Sequence, residues 1–190
     1  MSLAKSKKSV VIIFVGEKLS GKEIASRYLI KNYKFTGFRF SKILVDILGR
    51  LNLPVTRVNE ANLIGGLRER FGGGVLAQSI KEEISSRKLK RVVIDGLRNP
   101  GELDILKKLS GFLLVYVTAP LDVRYRRALA RGEKVGENSF TLDQFKHEEK
   151  LPTELFIKRM GKSARVKLVN DASLADLYKQ IEEKIVKKYL

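Results

Sequence analysis

The stretch Val10-Val-Ile-Ile-Phe-Val-Gly-Glu-Lys-Leu-Ser-Gly-Lys-Glu23 joins an apolar run directly to a loop bounded by glycines. The run Val10–Val15 is continuous rather than alternating, which is typical of a strand in a parallel sheet that is covered on both faces. The loop that follows has the spacing G-x-x-x-x-G-K, and residues of helical periodicity extend from Lys22 to Asn32. The sequence therefore predicts a strand, a tight loop and a helix in immediate succession.

The residues of this loop have the chemistry of a phosphate-binding site. Gly16 and Gly21 permit backbone angles that other residues avoid, so that loop amides can point inward around phosphate oxygens. The N-terminus of the next helix adds the positive end of a dipole, and Lys22 can reach the terminal phosphates of a nucleoside triphosphate. We therefore expect the whole loop to bind ATP: Gly16, Glu17, Lys18, Leu19, Ser20, Gly21, Lys22 and Glu23.

Glu23 stands where such loops usually carry Ser or Thr, whose hydroxyl ligates Mg²⁺. A carboxylate can also ligate Mg²⁺, directly or through water, but it adds negative charge beside the phosphates. Ser20-Gly21-Lys22-Glu23 resembles the S-G-K-D of phage-type deoxynucleoside monophosphate kinases and phosphomevalonate kinases. The resemblance implies that Glu23 is a metal ligand, and the alternative is an impaired site.

Three further runs have the character of buried strands, and segments of helical periodicity follow them. The strands are predicted at Arg91–Asp95, Phe112–Val117 and Arg165–Val169, and the helices at Pro100–Leu109, Leu121–Arg131 and Ser173–Tyr189. Such alternation predicts an α/β protein with a parallel sheet between two helical layers, the three-layer α/β/α fold of P-loop NTPases. Residues 1–190 are predicted as one domain, with a helical insertion at 39–88 and a lid at 124–160.

Asp95 is predicted at the carboxyl end of the second strand, the edge at which open α/β sheets bind ligands. An Asp at this place in a P-loop protein holds Mg²⁺ through water, so Glu23 and Asp95 are the predicted metal ligands. Arg98 follows three residues later, and its forked guanidinium matches the oxygens of a second phosphate group. The alternative is an Asp that caps a turn and an Arg exposed to solvent.

Asp95-Gly-Leu-Arg98 resembles the D-G-x-P-R stretch of nucleoside monophosphate kinases, one residue shorter, and the D-G-[VIL]-R-[NS] of archaeal adenylate-kinase-related P-loop proteins. The pattern D-x-P-L-L-F-E of dephospho-CoA kinases is absent. Resemblance to this group of P-loop proteins extends over nearly the whole chain, although only the loop and the Asp95 stretch are sharp. It implies ATP and Mg²⁺ as cofactors and a small phosphorylated acceptor.

The resemblance places acceptor binding in segment 39–88. It implies that Arg57 and Arg68, together with Arg98, bind the acceptor phosphate, and that Asn62, with Asn59, reads a base. The alternative for these side chains is a polar helix face in solvent.

In the predicted lid, Arg124, Arg127 and Arg131 follow at i, i+3 and i+7 and share one helix face. The resemblance implies that Arg127 and Arg131 close on the phosphates and are catalytic, together with Lys22 and Arg98. The alternative is a basic face in solvent.

The composition limits the partners. The chain has 190 residues, a net charge of +17, no Cys and one His, so the partner is expected to be anionic, and thiol or multi-histidine metal chemistry is excluded. Aromatic residues are not interleaved with the basic ones, which disfavours nucleic acid as the partner. Apolar runs are too short to span a membrane, so the expected location is the cytoplasm, and the oligomeric state is not indicated.

These features together predict phosphoryl transfer from ATP·Mg²⁺ to a small-molecule nucleotide substrate, a nucleoside or deoxynucleoside monophosphate. Dephospho-CoA or phosphomevalonate is the alternative acceptor, and a hydroxyl acceptor would need a base, for which Asp46 and Asp95 are candidates. An alternative of another class is a nucleotide-binding or nucleic-acid-associated protein without turnover, which the charge and Glu23 would both suit.

Overall fold

Five strands are formed in the computed structural model, which describes residues 9–131 and 141–190. They are β1 (Val10–Val15), β2 (Thr36–Arg39), β3 (Arg91–Asp95), β4 (Phe112–Thr118) and β5 (Val166–Val169). Neighbouring strands pair in parallel, and their order across the sheet is β2-β3-β1-β4-β5. The strand that precedes the phosphate loop therefore lies at the centre of the sheet, and the carboxyl ends of all five strands meet at one edge.

Helices connect these strands. They are α1 (Lys22–Tyr33), α2 (Phe40–Arg50), α3 (Arg57–Phe71), α4 (Val75–Ser86), α5 (Pro100–Leu106), α6 (Leu121–Arg131), α7 (Leu142–Glu148), α8 (Pro152–Ser163) and α9 (Leu174–Ile181). A π-helical turn, Glu182–Val186, continues α9 into α10 (Lys187–Tyr189). No helix within 9–131 or 141–190 combines the length and the apolar character that crossing a bilayer requires.

Helices cover both faces of the sheet, because successive side chains of a strand point to opposite sides. Val11 and Ile13 of β1 belong to an apolar cluster that includes residues of α2, α4 and α8. Ile12 and Phe14 belong to a second cluster that includes residues of α1 and α9. Every residue of β1 is buried, which explains its continuous apolar sequence. The predicted three-layer α/β/α fold with a parallel sheet is confirmed.

Strand β2 is the element that the sequence pattern does not predict. It has four residues, Thr36–Arg39, of alternating partial exposure, and it forms the edge of the sheet. An edge strand of this kind needs no continuous apolar run, so the period that reveals β1 is absent here. Its register pairs Arg39 with Asp95 of β3, which brings an unpredicted arginine to the predicted metal site.

The two segments that interrupt the alternation are helical. Segment 39–88 contains α2, α3 and α4, and the described part of 124–160 contains most of α6, all of α7 and most of α8. Three helix boundaries differ from the prediction: α1 ends at Tyr33 rather than Asn32, α5 ends at Leu106 rather than Leu109, and the last helix begins at Leu174, because Ser173 caps its N-terminus.

Candidate active site

The backbone of the phosphate loop, residues 16–23, requires glycine at two positions. A Cβ atom at Gly16 would lie 1.9 Å from the carbonyl oxygen of Val117 in β4. Gly21 has φ of 99°, and a Cβ atom there would lie 2.1 Å from Nδ2 of Asn170. Leu19 also has a positive φ, 60°, which is uncommon for a bulky residue and typical of a functional loop. The loop is therefore held in a specific conformation by the strands around it.

Lys22 lies at the start of α1 with its ammonium largely out of water. Its Nζ donates a hydrogen bond to the carbonyl oxygen of Glu17, at 2.8 Å. Burial lowers the pKa of Lys22 to about 8, and the nearby Asp95 carboxylate only partly opposes this. An ammonium with so little solvation is stabilised by an anionic group, which is what a phosphate in the loop would supply.

The second residue of the loop is a buried acid. The Glu17 carboxylate accepts a hydrogen bond from the Tyr116 hydroxyl of β4. Burial and this hydrogen bond raise the pKa of Tyr116 to about 12, so the phenol keeps its proton and remains a donor. The Glu17 side chain is therefore held against β4. In the predicted ATP site, only the backbone of Glu17 would contact phosphate.

Two side chains from distant segments fasten the loop. The Arg127 guanidinium donates to the carbonyl oxygens of Leu19, at 3.1 Å, and of Asn170, at 3.0 Å. Asn170 follows β5, is buried, and donates from Nδ2 to the carbonyl oxygen of Ser20 at 2.9 Å. The predicted catalytic Arg127 thus contacts the loop itself, and Asn170 is a second side chain that holds it.

Arg124 is not on a solvent-exposed basic face. Its side chain is buried and makes a two-pronged contact with the Glu149 carboxylate, at 2.7 and 2.9 Å. Lys158 of α8 also contacts Glu149, at 3.0 Å. Arg124 therefore joins α6 to the segment after α7, as a structural ion pair. The side chain of Arg131, predicted as catalytic, lies outside the described part of the structure.

Three charged groups meet where the first turn of α1 faces the ends of β2 and β3. Arg39 Nη2 lies 3.0 Å from Glu23 Oε1 and 3.8 Å from Asp95 Oδ2. Arg27, one turn further along α1, also contacts Glu23, at 2.5 Å. Partial burial works to raise the pKa of Glu23, but the hydrogen bonds from Arg39 and Arg27 outweigh it and lower that pKa. The predicted metal ligands are thus neighbours, and the guanidinium of Arg39 contacts both carboxylates.

The two predicted phosphate-binding arginines near β3 are each paired with a buried carboxylate. Arg98 Nη1 donates to Glu154 of α8 at 2.6 Å, and Arg68 Nη2 donates to Glu102 of α5 at 2.7 Å. Glu102 also accepts hydrogen bonds from the backbone of Arg98 and Asn99. These pairs fix the direction of both guanidinium groups, whose side chains remain 36% and 30% exposed.

A cavity of about 790 Å³ connects these groups. Its loop end is lined by the phosphate loop with Arg127 and Asn170, and its α3 end by side chains of α2, α3 and α4. The charged residues that line it between these ends are Lys22, Glu23, Arg39, Asp95 and Arg98. The α3 end is lined by Phe40, Leu44, Glu60, Ile64 and Arg68. The sequence-predicted residues from three separate segments therefore meet in one cavity.

Two predicted acceptor residues do not line this cavity. Arg57 and Asn62 lie on α3, but Asn62 is exposed and neither residue is among the lining side chains. Asn59 also has a local role, because its side-chain amide donates to the carbonyl oxygen of Pro54. Asp46, a candidate base, is 55% exposed and paired with Lys42 on the surface of α2. The cavity-facing side of α3 carries Glu60, Ile64 and Arg68 instead.

The residues present fit a nucleotide with a hard divalent cation. Glycines at positions 16 and 21 let the loop backbone pack against Val117 and Asn170, which a phosphate loop with inward-facing amides requires. Within the described residues, no group of three or more His, Cys, Asp or Glu is placed to hold a metal ion. The two carboxylates of Glu23 and Asp95 are enough for Mg²⁺, because this ion is usually bound by one or two carboxylates, with phosphate oxygens and water completing its shell.

Comparison with known proteins agrees with this geometry. No family model matches the chain. It is 26% identical over 182 residues to a UPF0200 protein of Methanosarcina mazei, covering 95% of both chains. It is 28% identical over 124 residues to a UPF0200 protein of Sulfurisphaera tokodaii, covering 65% of this chain and 67% of that relative.

Among solved structures, TT1252 from Thermus thermophilus matches with a TM-score of 0.65 and 17% identity, over 96% of this chain and 99% of that one. Shikimate kinase from Bacteroides thetaiotaomicron matches with a TM-score of 0.60 and 12% identity, over 95% and 99%. A gluconokinase from Sinorhizobium meliloti 1021 matches with a TM-score of 0.54 and 14% identity, over 96% and 95%. The chain therefore has a P-loop kinase-like fold, as its phosphate loop and its Asp95 stretch predict.

Proposed function

We propose that this protein is a P-loop kinase that transfers the γ-phosphoryl group of ATP to a small phosphorylated acceptor, a nucleoside or deoxynucleoside monophosphate. The observation that carries the proposal is the single cavity in which Lys22, two adjacent carboxylates and Arg98 face one another. A kinase needs such an arrangement, because phosphoryl transfer depends on positioning and charge neutralisation rather than on covalent chemistry by the protein.

In this proposal the phosphate loop holds the triphosphate with its amides, and Lys22 neutralises the terminal phosphates. Glu23 and Asp95 would hold Mg²⁺, which supplies further neutralisation of phosphate charge when it is bound. An acceptor oxygen forms a bond to the γ-phosphorus while the bond to the β,γ-bridging oxygen breaks, and ADP leaves. Arg127 fixes the loop through Leu19 and contributes positive charge beside it.

A phosphorylated acceptor suits the α3 end of the cavity better than an alcohol does. Arg98 places a guanidinium beyond Asp95, where the acceptor phosphate would meet the γ-phosphate. A phosphate oxygen is already an anionic nucleophile, so no base is required. Asp46 is on the surface of α2 and Asp95 faces Arg39, so neither is well placed to take a proton from a hydroxyl group. Dephospho-CoA, shikimate or a similar alcohol is therefore the less favoured class of acceptor.

The α3 end also has the mixture of groups that a nucleobase requires. Phe40, Leu44 and Ile64 offer apolar contact, and the half-buried Glu60 places a carboxylate among them. A carboxylate accepts hydrogen bonds and donates none, so it favours a base with an exocyclic amino group. Cytosine, adenine and guanine have this group, whereas uracil and thymine do not.

The cytoplasm, where nucleotides are abundant, is the location that we propose.

A panel assay tests this proposal. ATP consumption is measured with Mg²⁺ and each common ribonucleoside and deoxyribonucleoside monophosphate, and with shikimate, gluconate and dephospho-CoA. We expect turnover that requires a monophosphate and is lost in Lys22→Ala. Lys42→Ala, which removes an exposed lysine outside the cavity, is the matched control and should keep full turnover. Binding of ATP without turnover on any acceptor would instead favour a nucleotide-binding protein.

A further inference from the structure

Arg39 places one nitrogen atom between the two carboxylates that are expected to hold a metal ion. Its Nη2 is 3.0 Å from Glu23 and 3.8 Å from Asp95, and the parallel register of β2 and β3 sets Arg39 directly beside Asp95. The positive charge that contacts both carboxylates thus belongs to a side chain of the protein itself. The three groups come from separate segments of the chain: Glu23 from α1, Arg39 from β2 and Asp95 from β3.

We propose that Arg39 is a tethered cation that occupies the space between Glu23 and Asp95 in the nucleotide-free protein, and that Mg²⁺ arriving with the nucleotide exchanges for it. The inference rests on the proposed function only in assuming that a nucleotide brings a divalent cation to this place. It adds a positioning residue, Arg39, which the sequence motifs do not contain, and a defined competition between a side chain and a metal ion.

Electrostatics explains why a cation is favourable beside these two carboxylates. Two carboxylates that contact the same nitrogen atom lie close together, and their negative charges repel each other. The positive charge of Arg39 offsets this repulsion, because its Nη2 lies 3.0 Å from Glu23 and 3.8 Å from Asp95. The two acids are therefore held side by side as a pair of oxygen ligands of the kind that Mg²⁺ prefers.

The surroundings of Arg39 allow the exchange. Its side chain is 47% exposed and lines the cavity, so it can turn away without opening the core. An ion pair with that degree of exposure is weak. Mg²⁺ carries twice the charge and is also bound by phosphate oxygens, so it outcompetes one guanidinium only when the nucleotide is present.

Arg27 provides the matched comparison. It also pairs with Glu23 and carries the same charge, but its side chain is 75% exposed, and the contact with Asp95 is made by Arg39. Removal of Arg27 therefore takes away a positive charge from the neighbourhood without vacating the space between the two carboxylates. Any difference between the two arginines reports on that space and not on charge in general.

The experiment measures Mn²⁺, a spectroscopic substitute for Mg²⁺, by electron paramagnetic resonance in the presence of saturating AMP-PNP, which is not turned over. We expect Arg39→Gln to bind Mn²⁺ at least about tenfold more tightly than the parent protein, and Arg27→Gln no more than about threefold. A gain is informative, because a variant that merely disturbs the site would lose metal affinity. Without nucleotide, only Arg39→Gln should show measurable binding.

Unchanged or weaker Mn²⁺ binding in Arg39→Gln would overturn the exchange, as would an equal gain in Arg27→Gln. These results would leave the proposed function standing, since the parent protein would still hold a nucleotide-dependent metal ion. If the parent protein and both variants hold no Mn²⁺ with AMP-PNP, the exchange and the metal-dependent kinase proposal both fail.

Discussion

The loop end and the α3 end of the cavity are built differently. At the loop end, the phosphate loop follows the central strand and is fastened by buried or half-buried groups, among them Arg127 and Asn170. At the α3 end, the helix that faces the cavity has no buried residue at all. Elements with little buried surface are those that open and close at low cost. We infer that the loop end is preformed, and that the α3 end is completed by the acceptor.

The largest effect is expected at the loop end, from Lys22→Ala. Loss of the ammonium that faces the terminal phosphates should lower kcat/KM at least about a thousandfold. Thermal unfolding should change little, because the lysine is not part of the apolar core. Turnover and melting temperature are measured on the same preparation. Residual turnover near that of the parent protein would contradict the role of the loop.

The next effect concerns stability and tests whether the loop end is fixed by buried charge. Glu149→Ala leaves the buried Arg124 guanidinium without its two-pronged partner, so the free energy of unfolding should fall by about 3–5 kcal/mol. Glu148→Ala removes the neighbouring acid, whose ion pair with Lys18 is partly exposed, and should cost no more than about 1 kcal/mol. Urea unfolding of both variants makes the comparison, and equal losses would mean that burial of Arg124 is not decisive.

Arg98→Ala probes the α3 end. A charge-assisted hydrogen bond contributes about 1.5–3 kcal/mol, so the KM for the acceptor should rise at least about tenfold while ATP affinity changes much less. Arg98→Lys should recover only part of the loss, because an ammonium lacks the forked contact.

Glu154 is left buried without its partner in Arg98→Ala, so unfolding is measured beside acceptor kinetics and ATP calorimetry. Equal weakening of ATP and acceptor would move Arg98 to the ATP site. No change in either affinity would mean that its guanidinium serves only to satisfy Glu154.

The same difference between the two ends explains what the sequence could predict. The phosphate loop and Asp95 are revealed by consecutive residues, because a strand, a turn and a helix start follow one another along the chain. Arg39 could not be found this way, since β2 is a short edge strand without an apolar run. The partners of Arg98 and Arg124 are also hidden, because Glu154 and Glu149 come from a later segment that reaches them only in the folded chain.

The site assignments on α3 stay predictions, and the sequence could not resolve them for the same physical reason. Arg68, which the resemblance implied as an acceptor ligand, lines the cavity, but helical periodicity cannot distinguish a side that faces the cavity from one that faces solvent. Asn62 is on the exposed side of α3, whereas Glu60, which lines the cavity, was not singled out as a site residue. The catalytic roles of Lys22 and Arg98 remain predictions.

The buried Lys22 at the loop end should make ATP affinity depend on pH. The protonated form of Lys22 binds phosphate, and its pKa of about 8 means that this form is lost as the pH rises through 8. ATP affinity should therefore fall about tenfold between pH 7 and pH 9. Calorimetry at constant ionic strength measures this, and Lys22→Ala should show no such fall. A flat profile in the parent protein would contradict the desolvated state of Lys22.

The smallest effect is expected from Glu60→Gln, which tests what the α3 end recognises. Gln keeps one carbonyl acceptor but loses the negative charge, so a hydrogen bond from a base amino group should weaken by about 1 kcal/mol. The preference for CMP over UMP, measured as a ratio of kcat/KM, should then fall about three- to fivefold. Glu69→Gln is the matched control, because Glu69 lies on the same helix, is 72% exposed and does not line the cavity. An unchanged ratio in Glu60→Gln, or an equal change in Glu69→Gln, would mean that the base does not contact Glu60 and that the α3 end selects its acceptor by the phosphate alone.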